Sequence, residues 1–139
     1  MDGWLEPRAG REARIVRTAI RAGLLLWHDL LDESHTEAQS IEGEGVGRLG
    51  DCWHAIMHRR EPDYGNARYW LRCVGSHPVH EELTRRLQAV RNDLLGLAEG
   101  AADGVTWLDR VVGTRWNSDA MVSLCERCAG RPRTDGIVR

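Results

Sequence analysis

The stretch HAIMHRREPDYGNARYW, His54–Trp70, decides the fold. Asp51, just upstream, is a suitable N-cap for a helix running to about Arg60. Pro62 ends that helix, because the residue before a proline is pushed out of the α region. A second helix is expected from about Asp63 to Val74, with Gly75 as its C′ residue. Helix, proline break, helix is therefore the pattern, with no period-two alternation on either side.

Working outward, the preceding segment EGEGVGRLGD (Glu42–Asp51) has four glycines in ten residues and reads as a loop. Before it, the spacing predicts one helix from about Gly23 to Ile41, with Leu24, Trp27, Leu31, Ala38 and Ile41 on one arc. Residues 1–20 are Arg-rich, with Ile15, Val16, Ala19 and Ile20 as apolar content, and form a short helix or an arm. Downstream, Ser76 or His77 caps a helix with Pro78 near its first position and Glu81 and Glu82 in its first turn. Val79, Leu83, Leu87, Val90, Leu94 and Leu97 form its stripe, and Gly100 follows it. Val105–Val112 is ambiguous between strand and helix. Asn117 or Ser118 caps a last helix, Ala120–Cys128. The expectation is an all-α, single-domain bundle of four to six helices: an N-terminal arm or short helix (1–20), a helical domain (21–130) and a polar tail (131–139).

With 139 residues, 42% apolar and 29% charged, the chain is an ordinary globular sequence long enough for one moderate core. Nineteen basic residues face 21 acidic ones along the chain, which excludes a basic tract for nucleic acid. No run approaches the roughly 20 apolar residues that span a bilayer, and no signal-peptide pattern opens the sequence. A cytoplasmic protein with thiol cysteines is expected. Six Trp, two Tyr and no Phe make Trp the expected anchor of the core, each indole N–H needing a partner.

The chemistry is concentrated in the opening stretch. At roughly 100° per residue, His58 falls about 40° from His54 and Glu61 about 20° to its other side, beside the apolar face that carries Trp53 and Met57. Two His at i, i+4 can reach one metal ion from consecutive turns. The metalloprotease motif also needs Glu directly after the first His, and Ala55 stands there, so that reading fails. The preceding helix carries His28, Asp32, His35 and Gln39 on a similar stripe. Packed antiparallel through the glycine loop, the helices bring His35 to His54 and His58. Three such ligands with an open fourth position make a catalytic site for a divalent metal such as zinc, with Glu61, Glu37 or Asp63 as base or supporting carboxylate. Without metal, the same His residues can act as acid and base.

Arg60, Asn66, Trp70 and Gln39 are the expected substrate-binding residues, and His54, His58, Glu61 and Asp63 the catalytic ones. Arg59, Arg68 and Arg72 also offer guanidinium groups to an anion. Asp63 can equally be a helix cap, Arg59 a solvated and paired side chain, and Trp70 and Tyr69 core and rim residues. Cys125 and Cys128 form a single CxxC on the last helix without a second pair, and read as core residues.

The segments LDESHTEAQSIEGEG and DCWHAIMHRREPDYGNARYWLRCVGSHPV resemble an uncharacterised family of small bacterial and fungal proteins. Its members carry a "DESH…SQ.I" helix followed by a "YWH.IMHRREPD..NA.YWFRRVG.HP" block. WNSDAMVSLCERC is similar to that family's closing segment, so the resemblance extends over residues 28 to 128. It implies a shared pattern containing Ser34, His35, Gln39, His54, His58, Arg59, Arg60, Glu61, Asp63, Asn66, Tyr69 and Trp70, and no activity. Leu71 and Cys73 depart from it, standing where the family has Phe and Arg. The Cys73 departure weakens any anion role there.

The functional expectation is an enzyme acting on a small polar or anionic metabolite by metal-assisted or His acid/base hydrolysis. The alternative is a non-catalytic ligand-binding or helix-interaction module, its His/Glu/Arg cluster a hydrogen-bond network.

Overall fold

The computed structural model describes residues 10–91, 93 and 102–129. Residues 1–9 of the expected arm, Leu94, Leu97 and Gly100 of the long stripe, and the 131–139 tail lie outside the described residues. Among the described residues there are seven helices and no strand, so the fold is all-α: α1 Arg11–Trp27, α2 Leu31–Gln39, α3 Leu49–Arg60, α4 Tyr64–Val74, α5 Pro78–Ala89, α6 Ala102–Val112 and α7 Ser118–Ala129. None is long and apolar enough to cross a membrane. The chain divides into two compact units, one up to His77 and one from Pro78.

In the first unit, the expected Gly23–Ile41 helix is two helices. α1 starts at Arg11, inside the segment read as an arm or short helix, and ends at Trp27. Its buried face is Ile15, Ala19, Ala22 and Leu26, an i, i+4, i+7, i+11 set. At the corner, Asp29 takes the left-handed conformation (φ 66°), which a short polar side chain tolerates better than most, and α2 turns back along α1. The arc drawn through one continuous helix therefore breaks. Leu24 and Trp27 are 56% and 84% exposed, whereas Ala38 and Ile41 are fully buried.

The glycine loop then carries the chain to α3, with Gly43, Gly45 and Gly47 all at positive φ. Asp51 is not the N-cap. The helix begins two residues earlier at Leu49, and Asp51, fully buried in the first turn, reaches back into the loop. Its carboxylate accepts from the Gly43 amide at 2.8 Å and from Arg48 Nε at 2.5 Å. Both partners are needed, because a buried carboxylate without them costs more than any packing gain.

Close helix approach follows from small residues. A Cβ on Gly23 would lie 2.6 Å from the Trp53 ring, and one on Gly50 would lie 2.8 Å from the carbonyl oxygens of both Ala38 and Ile41. Ile15, Ala19 and Ile41 form the core with Leu49 and Trp53 against them. α3 and α4, the two helices expected on either side of Pro62, pack against each other. Asp63 caps α4, accepting from the Asn66 amide at 3.1 Å, and Gly75 ends it at φ 63°.

In the second unit, α6 settles the ambiguity of Val105–Val112 as helix. Val111, Val112 and Ala120 form its core with Leu87, Leu108, Trp116, Met121 and Leu124. Asn117 caps α7 by accepting from the Ala120 amide at 2.9 Å, and Gln88 ties α5 to the Gly113 carbonyl at 3.0 Å. Cys125 is half-buried and Cys128 exposed, and neither is in a disulfide. Cys128 is not the core residue its spacing suggests: the last turn of α7 turns it outward.

The described tryptophans do not fill the core. Trp27 is exposed, Trp53 and Trp116 pack against cluster edges, and Trp107 lies under the guanidinium groups of Arg110 and Arg127. The buried apolar residues of the first unit are instead small or aliphatic: Ala19, Ala22, Ala38, Ala55 and Ala67 bring backbones together, and Ile15, Leu26, Ile41 and Met57 fill the space between.

Gly50→Ala tests this packing. Where the added methyl meets nothing, a helical Gly→Ala change stabilises by up to about 1 kcal/mol. Here the new methyl meets two backbone oxygens, and we expect destabilisation of about 1–3 kcal/mol and a lowered melting temperature. Unchanged or raised stability in a thermal melt would contradict the contact.

Candidate metal centre

His54 and His58 lie one turn apart on α3, and their rings stack with centroids 4.8 Å apart. α2, held antiparallel by the glycine loop, contributes His35, whose ring lies 4.5 Å from that of His54 and 5.3 Å from that of His58. One nitrogen from each of the three lies within 4.8 Å of the others. A tetrahedral ion with Zn–N bonds of about 2.0–2.1 Å needs nitrogens about 3.4 Å apart, so modest χ adjustments close the ring.

The cluster is sheltered. His54 is 2% and His58 8% exposed, and Trp70 of α4 lies flat on His54 with centroids 4.2 Å apart. Tyr69 meets the Trp70 ring edge-on at 5.1 Å and is itself exposed. Both nitrogens of His54 and Nδ1 of His58 are buried without a hydrogen-bond partner. A buried polar atom in that condition costs about 1–3 kcal/mol unless a ligand satisfies it. Burial, and then the neighbouring His35 and His58, push His54 down to a pKa of about 4. Burial also lowers His58, against the opposing pull of Asp63 and Glu61. Both rings are therefore neutral at pH 7 and keep their lone pairs.

Two carboxylates face His58 Nδ1: Glu61 Oε2 at 3.5 Å and Asp63 Oδ2 at 3.8 Å. Their circumstances differ. Asp63 is occupied by Asn66, whose backbone N–H and side-chain Nδ2 (2.7 Å) both donate to it and hold its carboxyl below the usual range. Asn66 is correspondingly committed to the α4 cap. Glu61, at the end of α3, has the His58 ring as its neighbour.

The remaining expected site residues are placed variously. Trp70 joins the cluster directly. Gln39 is exposed at the end of α2, one turn beyond His35. Arg60 donates to the Leu26 carbonyl at the end of α1 and to the Asp29 carboxylate. Glu37 pairs with Arg21 at 2.6 Å. His28 caps α1 at the surface and does not continue a stripe with His35, because the helix ends there.

Ser34, in the DESH pattern, has a structural task. Fully buried beside His35, it donates to the Ala22 carbonyl at 2.9 Å and pins α2 to α1. Its only signal was its place next to His35 in DESH. No family model matches the chain, and neither a curated protein nor a solved structure matches it.

The neutral, buried state of His54 has a pH signature in the metal-free chain. Unfolded, the residue takes up a proton near pH 6.5; folded, only near 4. Between these values the unfolded state holds more protons. Stability is therefore intact above about pH 6.5 and falls as pH drops toward 4, by about 3 kcal/mol from this residue. Thermal melts in EDTA check this: the loss on acidification should be clearly smaller in His54→Gln. An equal slope in both proteins would contradict the assignment.

Proposed function

We propose that His35, His54 and His58 bind one divalent metal ion of the zinc class, and that the centre carries out hydrolysis-type chemistry on a small polar or anionic metabolite. The observation that carries this reading is the convergence of three imidazoles from two helices, with both nitrogens of His54 buried, neutral and unpartnered. An all-nitrogen donor set suits zinc and its late first-row neighbours over magnesium or calcium, which prefer oxygen. Three protein ligands leave a fourth position for water or substrate. A metal there would supply Lewis acidity and bring the pKa of bound water toward 7.

The chain's own residues take complementary roles. Glu61, which caps α3 through its backbone and turns its carboxylate to His58, is the proton acceptor or the carboxylate that orients His58 through Nδ1. Asp63, fixed as a carboxylate by Asn66, keeps negative charge facing the same ring. Trp70 excludes water from one side of His54 and, with Asn66 and Gln39, would shape the approach of a substrate. The engagement of Arg60 with Leu26 and Asp29 favours a supporting role over substrate contact. A hydrogen-bonded structural module is the competing reading. The Asp63–Asn66 and Arg60–Asp29 pairs speak for it, and the unsatisfied nitrogens of His54 speak against it.

Metal analysis of chelator-stripped protein given zinc tests the reading. We expect one equivalent per chain, a raised melting temperature, and loss of binding in His54→Ala. No uptake by the wild-type chain would overturn it. Against a panel of small ester, amide and phosphoester substrates, Glu61→Gln should lower kcat about 10²–10⁴-fold while the metal content stays at one equivalent.

A further inference from the structure

We infer that Arg60 is the positioning residue of the metal centre, setting the distance of His35 from His54 and His58 without touching the metal or the substrate. This rests on the three-histidine reading above. The three ligands come from two helices of unequal anchorage. His54 and His58 share α3, so helix geometry alone fixes their separation. His35 sits on α2, a nine-residue helix that Ser34 seats on α1, so its distance from α3 depends on how the α1–α2 pair is held to α3 at each end.

At the far end, Gly50 lets the Ala38 and Ile41 carbonyls close onto α3. At the near end, the tie is Arg60. From the last turn of α3, the helix that carries His54 and His58, its guanidinium spans the corner from which α2 departs. One acceptor is the Leu26 carbonyl at the end of α1, and the other is the carboxylate of Asp29, the left-handed residue of the corner. The planar guanidinium presents separate nitrogens at fixed spacing to the helix-terminal carbonyl and the carboxylate, whereas a lysine ammonium must reach both from one freely rotating nitrogen. His35 lies between the two ties.

Asp29 is 74% exposed in its side chain, so its ion pair adds little to global stability. The consequence of the pair is positional. That separates the inference from a general folding role and makes it testable from either partner.

The experiment is a cobalt(II) titration of metal-free protein, followed by visible absorption, for the wild type, Arg60→Ala, Arg60→Lys, Asp29→Ala, His35→Ala and the double variant Arg60→Ala/His35→Ala. Circular dichroism checks the helix content of each. In the wild type, intense four-coordinate bands are expected. Arg60→Ala and Asp29→Ala should each bind about tenfold or more weakly, the loss typical of removing a group that orients a ligand. Their bands should move toward the weaker spectrum of His35→Ala, and Arg60→Lys should not restore the wild-type spectrum. In the His35→Ala background, where His54 and His58 remain, removing Arg60 should change affinity by less than about twofold, because the ligand it positions is gone.

Equal loss from Arg60→Ala in both backgrounds would overturn the inference. So would wild-type affinity and spectrum in Arg60→Ala and Asp29→Ala. If Arg60→Ala loses its helical signal, Asp29→Ala decides from the exposed side of the same tie. Failure of the wild-type chain to bind cobalt would remove the three-histidine reading and this inference together. Wild-type binding with unresponsive variants removes the inference alone.

Discussion

At Gly50 the first turn of α3 comes so near the end of α2 that an added Cβ would lie 2.8 Å from the carbonyl oxygens of Ala38 and Ile41 and from Ile41 Cγ1. That contact depends on the absence of a Cβ, and much else follows from it. α2 must lie close against α3, and the glycine loop must fold back tightly to permit it. The fully buried carboxylate of Asp51 is then needed to hold the loop's Gly43 amide and the Arg48 guanidinium. Once the helices are this close, a histidine on each can share one space.

The histidine cluster is costly as a structural element. Its rings are shielded from water by one another and by Trp70, and His54 has no hydrogen bond at either nitrogen. A sequence under pressure for stability alone would fill the position with an apolar side chain of similar volume. Local cost of this kind tends to collect where a ligand is bound. The surrounding polar residues divide their labour. Asp63 and Asn66 build the start of α4, Ser34 seats α2 on α1, and Arg60 ties the α1–α2 corner to α3. Glu61 faces His58 and carries no such duty among these bonds.

Much of this was legible residue by residue. Pro62, Asp63, Gly75, Pro78 and Asn117 mark helix boundaries by local rules, and the structure follows them within a residue or two. The i, i+4 phase of His54 and His58 is likewise local, and their shared face required only helical periodicity. Misplaced features were those that depended on contacts distant in sequence. The run from Gly23 to Ile41 looked like one helix because its apolar spacing continues through His28, Asp29 and Leu30. The left-handed turn at Asp29 is held by Arg60, more than thirty residues away. Asp51 has the composition of an N-cap, but its carboxylate found a better acceptor role with the Gly43 amide across the loop.

The sequence by itself determined the helical class, most helix ends, and the pairing of His54 with His58, because each depends on backbone sterics and periodicity within a few residues. Only the tertiary structure decided that the helix breaks between His28 and His35, and that Arg60 faces a helix end. It also decided that alanines, Ile41 and Met57 are buried in the first unit while Trp27 is exposed and Trp53 sits at the core's edge. These outcomes rest on which surfaces meet across the glycine loop. That is set by the balance of close packing against buried polar groups, a quantity that has no value until the chain is folded.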